Sequence, residues 1–379
     1  MKQITTGGLI PSARELARQI LIHGPVTRAE LGRTLGLSPA SLSRLTRMLT
    51  DAGFIVEGHG PADKALGRPV RPLDVRLDLG VVVGAKLTGD AMTVVATDLR
   101  ARVLRQAERP LEDRRPEAVA AMLRGLVADI THGERVLAIG VGLGGLVDPD
   151  GVVRHAPYLE WRDVPLREML RGGSGSDETL VIENDVLALT RAVQWFGAGR
   201  GLRDVAVVTI GMGVGYGLVI DDRVVARPDS GVGLAAHLPL RSDGWTCVEG
   251  HVGCASAMLT IPGIVGEASS RIGRSLDYAD VLRLAHGGEA EAAAVVRMSG
   301  AAFGRLLALV ANLTSVSDIV IAGDGVALYD IARSEVRAAL DADRRPLAGP
   351  VRIVRDPSGF DEWARGAAAA AIQSFLLDD

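Results

Sequence analysis

Cysteine is nearly absent: the 379-residue chain holds two, Cys247 and Cys254. That excludes a disulfide framework as the brace of the fold and fits a reducing cytoplasm. Aromatic residues make up only 3%, so the core must be built from Val, Leu, Ile and Ala. No uncharged apolar run of ~20 residues occurs, so no membrane span is expected. The opening MKQITTGGLI has no long apolar stretch, so no signal peptide is expected. What is present is ordinary for a globular protein, with 47% hydrophobic and 23% charged residues. The length allows two or three domains of roughly 100–200 residues each.

Net charge is −4 but uneven. Residues 1–78 hold eleven Lys+Arg against seven Asp+Glu, a net +4 that leaves −8 for the remainder. A basic head on an acidic body suggests that the head alone meets a polyanion. Within that head, Leu16, Ile20 and Leu21 give residues 12–23 a helical stripe, ended by Gly24-Pro25. Thr27 and Glu30 form a capping box for a short second helix, stopped by Gly36. Ser38-Pro39 opens a third, with Leu42, Leu45 and Leu49 on its core side and Ala40, Ser43, Arg44 and Arg47 opposite. Two short helices about a tight turn, the second with a small and basic outer face, read as a helix-turn-helix. Its second helix would enter a major groove. Ser38, Ala40, Ser41 and Ser43 permit close approach. Arg44 and Arg47 suit phosphates or a guanine edge, and Thr27 and Arg28 are also expected to contact DNA. Phe54-Ile55-Val56 and Leu73–Leu77 read as the strands of a wing. Arg68, in the tripeptide Gly67-Arg68-Pro69 between them, is expected to reach a minor groove.

From about residue 79 the pattern turns to α/β. Strand pairs are expected at 81–87 with 92–98 and at 205–210 with 217–221. The second pair encloses Gly211, Gly213, Gly215 and Gly217. Strand continues after these glycines, so they read as a hairpin tip offering backbone N–H groups, not as a dinucleotide fingerprint. Glycine turns also follow strands at 136–141 and 319–321, which suggests a duplicated two-lobed fold with a cleft for a small ligand. Helices are expected at 115–130, 185–196, 276–286, 289–313 and 362–377. As for the cysteines, spacing alone favours two buried thiols over a metal site.

The chain resembles the ROK family (repressor, open reading frame, kinase) in its transcription-regulator branch. The resemblance rests on PVTRAELGRTLGLSPASLSRLTRMLTDAGFI, LGRPVRPL, IGVGLGGLVDPDGVV, IENDVLALTRAVQWFGAGRG, TIGMGVGYGLVI, and His237 followed by CVEGHVGC. It implies an α/β architecture: a winged helix-turn-helix over 1–78 and an actin/hexokinase-like (ribonuclease H-like) body. The body's first lobe would span 79–195, with a C-terminal helix at 362–379 packing back on it, and the second lobe 196–361. It further implies a regulator, expected to be a repressor, that binds double-stranded DNA as a cytoplasmic homodimer or homotetramer and senses a sugar-like effector.

The family's zinc motif, laid on this chain, implies His237, Cys247, Glu249 and Cys254 as ligands. Glu249 stands where the family has a cysteine, and His251 is an alternative fourth ligand. The zinc would be structural. The ligand site implied by the family comprises Gly144, Asn184, Asp185, Gly213, Leu234, His237 and Ser256. Two of these depart from the family pattern: Leu234 and Ser256 replace glutamates that contact sugar. In the family's kinases the residue matching Asp185 is the general base. Here, however, Lys86 replaces the acidic residue of the first hairpin's phosphate motif. Phosphoryl transfer needs a metal-holding carboxylate there, so no kinase activity and no catalytic residue are expected.

Overall fold

The computed structural model describes residues 9–58, 71–171, 178–356 and 360–377. Arg68 and its tripeptide lie outside the described residues. The chain divides into two compact units. One comprises Met1–Leu143, Val147–Glu183 and Trp363–Asp379, and the other Gly144–Leu146 and Asn184–Glu362.

The first unit begins with the head: α1 (Pro11–His23), α2 (Arg28–Leu35), α3 (Pro39–Asp51), and an antiparallel wing of β1 (Ile55–Glu57) with β2 (Leu73–Val75). Local signals account for these boundaries. Thr27 Oγ1 accepts the Glu30 N–H while the Glu30 carboxylate accepts the Thr27 N–H, closing the capping box. Ser38 caps α3, with Pro39 in its first turn. Leu16, Ile20, Leu31, Leu45, Leu49, Phe54 and Leu73 fill the core and are all but inaccessible. Each contributes about 1.5–3 kcal/mol by burial.

The rest of this unit is β3 (Val81–Leu87), β4 (Ala91–Thr97), β5 (Val103–Pro110), α4 (Pro116–Thr131), β6 (Val136–Leu143), β7 (Leu146–Val147), β8 (Val153–Ala156), β9 (Trp161–Val164), α5 (Leu166–Arg171) and β10 (Thr179–Asn184). Its five-stranded sheet has the order β10-β6-β3-β4-β5. β3 is antiparallel to β4 and parallel to β6. Every residue of β3 is buried, as a strand covered on both faces must be. Val83, Ala85 and Leu87 pack toward Val119, Ala120 and Leu123 of α4. The opposite face is thin by design: Gly84 and Gly140 are cross-strand partners, and helix α13 (Phe360–Leu377) lies on them. A Cβ at Gly84 would stand 2.0 Å from the Ala364 carbonyl, and one at Gly140 would stand 1.9 Å from that of Ala367. The alanine run of α13 and the two strand glycines are therefore one packing solution.

The second unit contains α6 (Asp185–Phe196), β11 (Val205–Ile210), β12 (Val214–Ile220), β13 (Arg223–Val224), α7 (Ala255–Leu259), α8 (Ile261–Ile272), α9 (Tyr278–His286), α10 (Ala290–Thr314), β14 (Asp318–Ala322), α11 (Ala327–Ile331), α12 (Arg333–Ala342) and β15 (Arg352–Arg355). Its sheet, β13-β12-β11-β14-β15, repeats the first sheet's plan. In each, a three-strand meander supplies the central strand, and two later strands add beside it. α10 is apolar and long enough to cross a membrane by composition, but 61% of its most apolar window is buried inside the unit.

The units part at Glu183/Asn184, twelve residues before the boundary expected at 195. The reason is α6, which packs on β12. A Cβ at Gly217 would stand 1.9 Å from Thr190 Oγ1, and one at Gly215 would stand 2.7 Å from Val186 Cγ2. Thus two of the four clustered glycines sit within a strand and admit a helix, instead of shaping a hairpin tip.

Candidate metal centre and ligand site

Between β13 and α7 the second unit carries a long irregular segment, and its backbone explains how the metal-type residues meet. The Gly250 N–H donates to the Cys247 carbonyl, with Gly250 at φ +89°. The Cys247 N–H in turn donates to the His251 carbonyl at 3.0 Å. This tight turn returns residue 251 alongside residue 247. Gly253, at φ +57°, then passes so close to Arg241 that a Cβ would stand 1.9 Å from its carbonyl. Cys254 follows as the N-cap of α7 and is 1% exposed. His237 is held from both sides: the Ser256 N–H donates to the Ala236 carbonyl at 2.6 Å, and the Ala255 N–H to that of Leu238 at 2.9 Å.

The result is a cluster of His237, Cys247, His251 and Cys254, one ligand atom from each lying within 4.8 Å of the others. His237 Nδ1 is 3.8 Å from Cys247 Sγ, 3.7 Å from Cys254 Sγ and 3.1 Å from His251 Nδ1. Cys247 Sγ is 3.6 Å from His251 Nδ1. Tetrahedral zinc, with Zn–S of about 2.3 Å and Zn–N of about 2.0–2.1 Å, needs donor–donor edges of roughly 3.3–3.8 Å. The three sulfur–nitrogen separations fall in that range and the nitrogen–nitrogen one is slightly short of it, so the donor set fits a metal of this class.

Glu249 is not one of these four; His251, the alternative fourth ligand, stands among them. Glu249 sits at the tip of the turn, and its carboxylate lies 3.3 Å from His237 Nε2, the nitrogen facing away from the thiols. A carboxylate there orients the ring of a ligating histidine. Burial raises the Cys254 thiol pKa. For Cys247 a burial effect in the same direction is outweighed by hydrogen bonds from the backbone of His251 and Glu249 and from the His251 ring, so its pKa falls.

Two of the ligand-type residues of this unit, Asn184 and Asp185, stand at the start of α6. Asn184 caps the helix: its Oδ1 accepts from the Val186 N–H at 3.0 Å and from Leu187 at 3.4 Å, while its Nδ2 donates to the Gly145 carbonyl at 3.0 Å. Asp185 follows, buried, with Oδ1 accepting the Val186 N–H. Gly231, at φ +99°, lies against the same two residues. A Cβ on it would stand 2.3 Å from the Gly145 carbonyl and 3.0 Å from Asn184 Nδ2. Gly145, Asn184 and Gly231 thus form one packed corner, and Gly144 adjoins it in sequence. Leu234, three residues past Gly231, is 69% exposed. Ser256 lies beside His237 in sequence-distant contact through Ala236. Gly213 is exposed at the β11–β12 turn, where its carbonyl accepts the Gly211 N–H at 3.0 Å. The neighbouring Gly323-Asp324-Gly325 turn closes on Ile210, the Gly325 N–H donating to its carbonyl. Two glycine turns therefore meet at the carboxyl ends of parallel strands β11 and β14, the usual ligand end of such a sheet.

In the first unit the corresponding hairpin is filled. Lys86 is buried, with Nζ 4.9 Å from the centroid of Trp363 on α13. In the head, Ala40, Ser43, Arg44 and Arg47 present an exposed face of α3. Ser38 and Ser41 are tied to each other by the N-cap. Thr27 is occupied by capping, and Arg28 pairs with Glu57 at 2.5 Å. Sequence reasoning missed Glu57 and Gly231; an isolated carboxylate at a strand end and one glycine among many carried no distinguishing signal.

Comparison with known proteins decides the family. The sequence profile of the ROK family matches residues 80–374. The chain belongs to the ROK family. It is 30% identical over 356 residues to the transcriptional regulator Mb0495 of Mycobacterium bovis, covering 87% of this chain and 78% of that protein. It is 28% identical over 247 residues to a protein of Caldicellulosiruptor sp. named as a candidate xylose repressor, covering 63% of this chain but only 61% of that protein's length. Among solved structures, a ROK family transcriptional regulator homologous to the Escherichia coli MLC protein superposes with a TM-score of 0.82, at 23% identity and 96% coverage of both chains. A ROK hexokinase from Thermus thermophilus shares the body's fold, with a TM-score of 0.64 and 26% identity over 77% of this chain and 97% of that one.

Proposed function

We propose that this ROK protein is a DNA-binding transcriptional repressor that senses a sugar or sugar derivative, working as a cytoplasmic homodimer or homotetramer. The observation that carries the reading is the head. A winged helix-turn-helix precedes the family-matched body, and its α3 turns Arg44 and Arg47 to solvent. Two such heads would grip a palindromic site with half-sites one or two helical turns apart. The likeness to a transcriptional regulator over 87% of this chain supports the same reading. It is tested by gel shift on duplexes selected from random sequence. Arg44→Ala and Arg47→Ala should each weaken binding, and unchanged affinity at fixed salt overturns the role given to α3.

The effector site is assigned to Asn184, Asp185, Gly144, Gly213, Leu234, His237 and Ser256. Leu234 and Ser256 offer no carboxylate where the family contacts sugar, so the effector presents a less hydroxylated or more apolar face there. Zinc, held by His237, Cys247, His251 and Cys254, would supply a structural clip and not a reaction centre. A library of sugars in a thermal-shift screen identifies the effector, because a ligand of the native state raises Tm.

Phosphorylation of the sugar is the competing activity, favoured by the retained Asp185. Lys86 argues against it. A buried ammonium facing an indole occupies the position where the family's kinases place an acid. Coupled measurement of ATP consumption across hexoses should give none.

A further inference from the structure

The family-matched region starts at residue 80, and a single turn of 3-10 helix, Leu77–Leu79, joins it to the head. A link of this kind leaves a module free to swing unless side chains cross the junction. Two do: Arg14 of α1 donates to the Leu377 carbonyl at the end of α13, at 2.9 Å, and Arg100 reaches in the other direction, from body to head. Arg100 stands in the turn between β4 and β5, and the turn is built to present it. The buried Asp98 accepts the N–H groups of both Arg100, at 2.8 Å, and Arg102, at 3.0 Å, while Ala101 adopts φ +53°.

The Arg100 guanidinium enters the head, with its side chain only 10% exposed. Its Nε donates to the Leu21 carbonyl at 3.2 Å and its Nη2 to that of Ile20 at 3.4 Å. These carbonyls lie in the last turn of α1, at the negative end of its dipole. That of Leu21 has no helical donor, because residue 25 is proline, while that of Ile20 also accepts the Gly24 N–H at 2.8 Å. Nη2 also pairs with the Asp74 carboxylate of β2, the second strand of the wing. Gly24 independently marks the socket. A Cβ there would stand 2.7 Å from Arg100 Nη2, 2.9 Å from Asp74 Oδ1 and 2.5 Å from the Ile20 carbonyl. The chain thus keeps a glycine where any larger residue would expel the guanidinium.

We propose that Arg100 is a positioning residue for DNA binding: a body side chain that locks helix α1 and the wing in one orientation on the first lobe, so that two heads are presented at a fixed spacing. The proposal rests on the DNA-binding reading above. Arg100 does not touch DNA in this role. Its loss lowers the fraction of molecules with correctly set heads, and apparent affinity falls by that fraction.

The test uses the full chain, a duplex selected by the wild-type protein and a scrambled duplex of equal length. Arg100→Ala should raise Kd for the selected duplex at least about tenfold, corresponding to heads set about a tenth of the time. Kd for the scrambled duplex should stay within about twofold, and the salt slope should not change. Asp74→Ala should act alike, and the double variant should be no worse than either single one, as expected for partners in one interaction. Arg100→Lys should restore only part, since an ammonium lacks the fork. A salt slope lower by about one unit means that Arg100 contacts phosphate and overturns the proposal. Equal affinity of wild type and Asp74→Ala also overturns it, even if Arg100→Ala does not fold. A wild-type protein that selects no duplex sinks the DNA-binding reading itself, a distinct result.

Discussion

The two five-stranded sheets share one strand plan and differ in what sits at their first hairpins. In the first sheet, the β3–β4 hairpin is occupied by the chain's own groups. Lys86 stacks on Trp363, and Thr88 Oγ1 donates to Asp90 at 2.6 Å. In the second, the β11–β12 hairpin ends in glycine, with an exposed Gly213. The second sheet also carries the long segment between β13 and α7, and that segment holds the metal-type cluster. The comparison teaches that one strand plan can end in a hairpin filled by the chain's own side chains at one copy and in open glycine turns at the other. The first copy supports α13 through Gly84 and Gly140 and meets the head through Arg100. The second carries a group of side chains that could hold a metal.

Four experiments break or sharpen that contrast. The largest effect is expected in the second unit. Cys254→Ser or His251→Ala should abolish stoichiometric zinc, measured by elemental analysis, whereas Glu249→Gln should lower zinc affinity only by about 10–100-fold. Equal loss from all three would restore Glu249 as a ligand. Next comes the first sheet's platform. Gly140→Val drives a side chain into a backbone carbonyl and should cost about 3 kcal/mol or more in urea unfolding. Gly217→Ala in the second sheet meets the Thr190 hydroxyl instead, so a companion Thr190→Ala should recover part of its cost. Third, Lys86→Asp restores the acid of the kinase pattern but sets a buried carboxylate against an indole face. It should destabilise by about 2–3 kcal/mol without creating ATP turnover. The smallest effect belongs to the head. Hydrogen bonds from the Thr27 backbone and then its side chain hold the Glu30 pKa below its ordinary value. A depressed folded pKa means this contribution is complete above the unfolded value near 4.5 and is lost as pH falls through the folded one. Thr27→Ala should flatten that part of the acid-unfolding curve.

Much of the fold was legible because its signals are local. The capping box at Thr27, Ser38-Pro39, and the leucine spacings of α1 and α3 each depend on neighbours within one or two turns. The helices at 185–196 and 290–314 follow in the same way from long periodic stretches. The small sheet of β7, β8 and β9 was not legible, since strands of two to four residues have no period to read. The glycine cluster at 211–217 misled because the need for Gly215 and Gly217 arises from α6, a tertiary neighbour. At the metal cluster, the family register pointed to Glu249 while the local turn points to His251. The left-handed Gly250 was the available clue: a turn closing there brings residue 251, not 249, back to Cys247. Arg100 was invisible, because nothing in a β-turn arginine announces that its partners lie 26, 79 and 80 residues earlier.

Helix α13 carries a consequence for biosynthesis. It fills the groove above Gly84 and Gly140, yet it is translated only after the whole second unit. While a ribosome is still making residues 184–362, the nascent first sheet has nothing over that groove, and its apolar face is open to chaperones and to neighbouring chains. α13 also supplies the Leu377 carbonyl that Arg14 of the head bonds, so the head reaches its finished support only when synthesis of the second unit is already over.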